Sequence, residues 1–119
     1  MSSRVLVVED DESMRELLCL HLSNAGYAVD VAEDGIQAGY AVLKAVPQVI
    51  ICDVDMPHMN GFEFIAALRA EESLPQIPVI FVTSHEEGAP RAVELGCDFL
   101  TKPLLVDELL TAVRRALDL

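Results

Sequence analysis

Short, unbroken apolar runs alternate along this chain with longer segments in which apolar residues recur every three or four positions. Val5 to Val8 is the first run, aliphatic and mostly β-branched, and it predicts a central strand buried on both faces. Ser13-Met14-Arg15-Glu16 then has the form of a capping box, in which Ser and Glu satisfy helix-start amides reciprocally. Met14, Leu17, Leu18 and Leu22 continue at helical spacing, and Gly26 supplies a stop. Tyr27 to Val31 reads as a second strand, and Asp34 to Ala45 as a helix with Gly39 as its weak point. Val49 to Cys52 is the third strand. Phe62 to Ala70 is helical, with Phe62, Ile65, Ala66 and Leu68-Arg69 forming its apolar face. Pro78 opens a fourth strand, Val79 to Val82. A short helix from Arg91 to Leu95 ends at Gly96, Phe99-Leu100-Thr101 is a brief fifth strand, and Asp107 to Leu117 is a last amphipathic helix with Leu109, Leu110, Val113 and Leu117 on one side.

Strand-helix alternation of this kind predicts a doubly wound five-stranded parallel sheet in the α/β class, covered by helices on both faces. With no repeat, linker or low-complexity stretch, residues 1–119 read as a single domain, either standing alone or excised from a longer protein. The polar residues at the strand ends refine the topology. Strand one runs into Glu9-Asp10-Asp11, strand three into Asp53 and Asp55, strand four into Thr83-Ser84, and strand five into Thr101-Lys102-Pro103. Strand two has no equivalent. That asymmetry fits the order 2-1-3-4-5, with strand two at an edge and Asp10 and Asp53 adjacent at the switch point, where such sheets place their ligands.

Composition narrows the function. The chain has 119 residues, 52% of them hydrophobic, which is enough for one core. No apolar run approaches a membrane span, and the first residues lack the apolar stretch of a secretory signal, so the cytoplasm is the expected location. The net charge of −12 argues against direct binding to nucleic acid or to an anionic membrane. It reflects either a solvated acidic surface or carboxylates that converge and require a cation. The three cysteines, Cys19, Cys52 and Cys97, lack CxxC spacing and read as reduced, mostly buried thiols packing as small hydrophobes.

Carboxylates brought within a few ångströms of one another repel, and a divalent cation relieves the repulsion. An all-oxygen site with few protein ligands suits Mg²⁺, with Mn²⁺ the alternative. Lys102 adds a fixed positive charge and Thr83 a hydroxyl. Metal, ammonium and donor together suit a phosphoryl group, whose transfer depends on positioning and on neutralised oxygens. Attack by Asp53 on phosphorus, giving an aspartyl phosphate, is the economical chemistry.

These residues, Val7-Val8-Glu9-Asp10-Asp11, Asp53 with Met56-Pro57 and Asn60-Gly61, Val82-Thr83-Ser84, and Lys102-Pro103, occur jointly and in order. Over its whole length the chain resembles the receiver domain of bacterial two-component response regulators, of the chemotaxis-regulator-like kind, a flavodoxin-like fold. The resemblance implies that Asp53 is the phosphoacceptor and that Asp10 is the direct Mg²⁺ ligand of the acidic pair, with Glu9 acting through water. It further implies that the Asp55 backbone carbonyl completes the protein ligands to the ion that Asp53 also meets. Lys102 would pair with the phosphoryl group, before a cis proline, and Thr83 would be the switch hydroxyl. Phe99 stands at the switch-aromatic position, where many members carry tyrosine. The stretch from Thr83 to Lys102 is a few residues shorter than the family pattern, and Gly88 and Pro90 within it predict an unusually short fourth helix.

The implied partners are a sensor histidine kinase or phosphotransfer protein as donor and a downstream output domain or protein, with a phosphorylation-linked homodimer a further option. The implied catalysis is confined to the protein's own phosphorylation and dephosphorylation. Two alternatives stand beside this reading. Asp53-Val54-Asp55 is literally the DxD of haloacid-dehalogenase-type phosphatases, and the short fourth helix would also suit a phosphorylation-independent binding module. The Asp55 side chain and His85 are candidates for tuning the lifetime of the phosphate; the plainer reading of His85 is an exposed loop histidine, and that of Thr83 a hydroxyl bonded to local backbone. Asp11 and Glu12 read as complements to the start of helix one, and His21 and His58 as structural or solvated.

Overall fold

The computed structural model describes residues 3–56 and 59–118. Its elements are β1 (Arg4–Val8), α1 (Glu12–Asn24), β2 (Ala28–Ala32), α2 (Gly35–Lys44), β3 (Val49–Asp53), α3 (Gly61–Arg69), β4 (Val79–Thr83), α4 (Ala89–Glu94), β5 (Asp98–Thr101) and α5 (Val106–Leu117). The five strands are parallel and lie in the order β2-β1-β3-β4-β5, as expected from the strand-end asymmetry. No helix among the described residues is long and apolar enough to cross a membrane.

The unbroken apolar runs are explained by two cores, one on each side of the sheet. Successive side chains of a strand point to opposite faces. Leu6, Val8, Ile50, Cys52, Val79 and Phe81 therefore pack under Ala38 and Val42 of α2, Phe64 and Ile65 of α3, and Ala92 of α4. Val5, Val7, Val49, Ile51, Ile80 and Val82 pack on the other side under Leu18 and Leu22 of α1 and Leu109, Ala112, Val113 and Ala116 of α5. Each fully buried Leu, Ile or Val stabilises the fold by roughly 1.5–3 kcal/mol, so both faces of the central strands stay apolar until their carboxyl ends.

Several local expectations are corrected. Asp11, not Ser13, caps α1: its carboxylate accepts the Ser13 N–H at 3.3 Å, which leaves Ser13 inside the first turn. Asp11 leaves β1 in an extended conformation and so reaches the cap position before Ser13 does. A capping box does form on α3, where Asn60 accepts from the Glu63 N–H at 2.9 Å and Glu63 accepts from the Asn60 N–H at 3.1 Å. On that helix Phe64 and Ile65 are the buried side chains. Arg69, expected on the apolar face, instead donates to the carbonyl oxygens of Leu95 and of Ile77, the latter at 3.3 Å, and to Cys97 Sγ at 3.4 Å. It ties α3 to the turn before β5. On α5, Ala112 and Ala116 are buried with Leu109 and Val113, while Leu110 and Leu117 lie at the margin of the core.

The fourth helix has six residues, preceded by one 3₁₀ turn at Glu86–Gly88. It starts earlier than the apolar spacing indicated because Pro90 sits in its first turn, where a missing N–H costs nothing. Gly26 and Gly96 follow the ends of α1 and α4 with φ of 97° and 69°, the left-handed geometry that glycine adopts without a Cβ penalty. Gly39, inside α2, has no such reason: a Cβ there would meet nothing within 4 Å. Gly39→Ala is therefore expected to stabilise the protein by about 0.5–1 kcal/mol, read as a higher melting temperature. An unchanged or lower value would show that the glycine is required.

Candidate functional site

The site is built at the carboxyl edge of the sheet. Val8 lies beside Cys52, Asp53 beside Val82, and Thr83 beside Thr101. Ladder hydrogen bonds continue one step past the strands: the Glu9 N–H donates to the Ala32 carbonyl at 3.0 Å, Val54 to Val82 at 3.0 Å, and Lys102 to Thr83 at 2.8 Å. Glu9, Asp53, Thr83 and Lys102 are thus held by the sheet itself rather than by flexible loops. Glu9, Asp53 and Thr83 are 1%, 3% and 1% exposed, the polar members of an otherwise apolar interior.

Lys102 Nζ lies 3.2 Å from Glu9 Oε1 and 3.5 Å from Asp53 Oδ1, so a single ammonium bridges two buried carboxylates. The Lys102-Pro103 peptide bond is cis. Asp53 Oδ1 also accepts from the Asp55 N–H at 3.2 Å, and Glu9 Oε2 from the Asp11 N–H at 3.3 Å. Burial, together with the adjoining Glu9 carboxylate, pushes the Asp53 carboxyl up to about 7, against the opposing pull of Lys102 and the Asp55 N–H. Burial disfavours the Lys102 charge, but Asp53 and Glu9 outweigh it and raise that group further. One oxygen from each of Glu9, Asp10 and Asp53 lies within 4.8 Å of the others. Asp10 is exposed, at the mouth of the cluster. Three carboxylates face one ammonium, an unbalanced all-oxygen set that fits a hard divalent cation.

Across the crevice the Thr83 hydroxyl has the expected local backbone partner and a second one that the sequence did not indicate. It accepts the local His85 N–H at 3.1 Å, and its own hydrogen goes to Asp55 Oδ2 at 3.1 Å. His85 is exposed, with Nε2 4.0 Å from Asp55 Oδ2 and Nδ1 3.8 Å from Glu87 Oε1. Phe99 is half-buried against the core on the α2–α4 side, beside Gly88. Of the thiols only Cys52 is buried; Cys19 and Cys97 are half-buried, fewer than expected, because the helix and turn carrying them leave one side open to solvent. His21 is half-buried on α1. Pro57 and His58 lie outside the described residues.

Four contacts were not legible in the sequence. Arg15 donates to the Glu9 carbonyl at 2.9 Å and pairs with Glu33 at 3.5 Å, anchoring the acidic loop. Its position one helical turn after Asp11 is the signal that would have placed it there. The Glu9–Lys102 pair and the Asp55–Thr83 bond join residues far apart in the chain, and no local pattern marks them.

The chain matches the model of the response regulator receiver domain over residues 5–114. It is 35% identical to the response regulator MprA of Mycobacterium bovis over 120 aligned positions, which cover 98% of this chain and 51% of that protein. The chain thus spans about half the length of the curated relatives it matches. Among solved structures, it is similar to the chemotaxis protein CheY4 of Vibrio cholerae at 34% identity and a TM-score of 0.89, covering 98% of this chain and 99% of that one. It is likewise similar to a putative response regulator from Chloroflexus aurantiacus at 30% identity and a TM-score of 0.94, covering the whole of both chains. Family model, relatives and topology agree, and the chain belongs to the response regulator receiver domain family.

Proposed function

We propose that Asp53 accepts a phosphoryl group from a phosphohistidine of a sensor histidine kinase or phosphotransfer protein, and that the chain is a phosphorylation-dependent signalling switch. The observation that carries this reading is the buried Asp53 carboxylate within 3.5 Å of Lys102 Nζ and adjoining Glu9 and Asp10. An Asp53 carboxylate oxygen forms the new P–O bond as the P–N bond to the donor imidazole breaks, and the departing nitrogen takes a proton. Lys102 neutralises charge on the phosphoryl oxygens, and the Asp55 N–H steadies the attacking carboxylate. Asp10, Asp53 and the Asp55 carbonyl would hold Mg²⁺ or Mn²⁺, with Glu9 acting through water, and the ion would balance the remaining negative charge. The Thr83 hydroxyl then turns toward the phosphoryl group and Phe99 repacks. This alters the surface of α4, β5 and α5 that an output domain, a separate target or a second copy would read.

The phosphatase alternative gains no support from the site, because the Asp55 carboxylate is engaged by Thr83 rather than free to act as an acid or base. A soluble acidic domain in the cytoplasm is the setting that this reading requires.

The test is thermal melting with Mg²⁺ and with Mg²⁺ plus beryllofluoride, a phosphoryl mimic. The wild type is expected to melt higher with the mimic than with Mg²⁺ alone, and Asp53→Asn to lose that increment. Equal increments in the two proteins would overturn the phosphoacceptor assignment.

A further inference from the structure

The Thr83 hydroxyl has one hydrogen to donate, and the Asp55 carboxylate has it. The distance is 3.1 Å, Thr83 is 1% exposed, and the oxygen of the same hydroxyl accepts the His85 N–H at 3.1 Å. The hydroxyl is therefore satisfied as donor and as acceptor where it stands. Asp55 is itself tied to the reacting carboxylate, since its N–H donates to Asp53 Oδ1 at 3.2 Å. One residue thus touches the phosphoacceptor through its backbone and the switch hydroxyl through its side chain.

We infer that Asp55 is a positioning residue that latches Thr83 in the unphosphorylated arrangement by competing with the phosphoryl group for its single O–H. This inference rests on the reading of Asp53 as phosphoacceptor and of Thr83 as switch, and it assigns the Asp55 side chain a role acting through Thr83 rather than on attacking water. A charge-assisted hydrogen bond is stronger than a neutral one. To donate to a phosphoryl oxygen, Thr83 must give up the carboxylate and turn away from the His85 N–H. The latch biases the equilibrium toward the resting state, and the incoming phosphoryl group must exceed that bias to shift it. Because the side chain of Asp55 is 52% exposed, the bias is modest.

Charge at Asp55 could also act directly on a bound anion, and a mutant cycle separates the two effects. The measurement is the beryllofluoride concentration that half-saturates the melting shift at fixed Mg²⁺. Wild type, Asp55→Ala, Asp55→Asn, Thr83→Val and the double variant Asp55→Ala/Thr83→Val are compared. Asp55→Ala removes the acceptor, and the latch predicts a half-saturating concentration about 5-fold lower, the scale of a partly exposed charged hydrogen bond. Asp55→Asn removes the charge but keeps an acceptor oxygen, so it is expected nearer the wild type. In the Thr83→Val background, Asp55→Ala is expected to change nothing beyond error. Thr83→Val preserves side-chain shape, and its own melting curve without mimic verifies that it folds. If Asp55→Asn and Asp55→Ala act equally and the effect survives in the Thr83→Val background, the latch is wrong while the switch reading stands. If the wild type itself shows no mimic-dependent shift, the reading of Asp53 fails and the latch falls with it.

Discussion

Lys102→Ala is expected to slow phosphorylation of Asp53 by a small-molecule phosphodonor roughly 100-fold, the scale of losing one preorganised charge-stabilising group. The same substitution destabilises the resting protein by about 2–3 kcal/mol at neutral pH, less than for a fully enclosed pair because Lys102 keeps some solvent contact. Both effects have one origin. Lys102 is the only cation within ion-pairing distance of Glu9 or Asp53 among the described residues, and without it two buried carboxylates face each other unneutralised.

The pH dependence follows with a definite sign. In the folded protein Asp53 already stands at about 7, against 3.8 for an ordinary aspartate. Removing Lys102 takes away a favourable charge and raises it further. The folded state then holds a proton that the unfolded state releases, so stability falls as pH rises from near 4 upward. The deficit of Lys102→Ala against wild type is therefore largest above neutrality, where wild-type Asp53 ionises beside Lys102, and narrows below it, where Asp53 is protonated in both folded proteins. Metal-free denaturation at several pH values, together with single-turnover phosphorylation, checks the prediction. Lys102→Arg, which keeps the charge on a broader head group, is expected to recover more stability than rate. A Lys102→Ala protein with wild-type stability at pH 7 and wild-type phosphorylation would contradict this account of the site.

Gly61→Ala is expected to be the most damaging single-methyl change in the loop, lowering stability by about 2–3 kcal/mol and the melting temperature by on the order of 10 °C. Gly61 opens α3, directly after the loop that leaves Asp53. A Cβ at that position would run into the Asp53 carbonyl oxygen, well inside contact distance, and would press on Cys52 Sγ and Val54 Cα, each at 3.1 Å. Two of these three atoms are backbone, and Cys52 is fully buried, so nothing nearby yields by rotating a flexible side chain. The Gly61 N–H also donates to the Val54 carbonyl at 2.9 Å, which pins the loop in place. Relief must come from moving β3 or the start of α3, and either displaces Asp53. Loss of mimic binding is expected alongside loss of stability. A Gly61→Ala protein with the wild-type melting temperature would mean that the loop relaxes freely.

Much of the fold was legible because burial on both faces imposes its own signature. The runs Val5–Val8, Val49–Cys52 and Val79–Val82 contain no polar residue, and only a central strand covered on both sides has that requirement. Where each run meets its first acid, hydroxyl or lysine, the strand has reached the carboxyl edge of the sheet, and that boundary located Glu9, Asp53, Thr83 and Lys102 together there. Helix starts were read less well. Ser13 and Asp11 are both competent caps, and the choice went to the one that the end of β1 delivers first. Phe64 was missed as a core residue because packing against the sheet decides which side of α3 is buried, and that packing is not local.

The sequence by itself determined which chemical groups are present, the order in which the strands deliver them, and the sign of the charge that must be balanced. Those properties follow from residue type and from period-two and period-three-to-four spacing. Only the tertiary structure decided the pairings. Lys102 meets Glu9 as closely as Asp53, Asp55 turns its carboxylate to Thr83, and Gly61 must lack a Cβ because the Asp53 carbonyl occupies its space. The pairings of Lys102 and of Thr83 join strand ends and loops that are remote in the chain, and hydrogen-bond distance is reached only after the sheet has assembled.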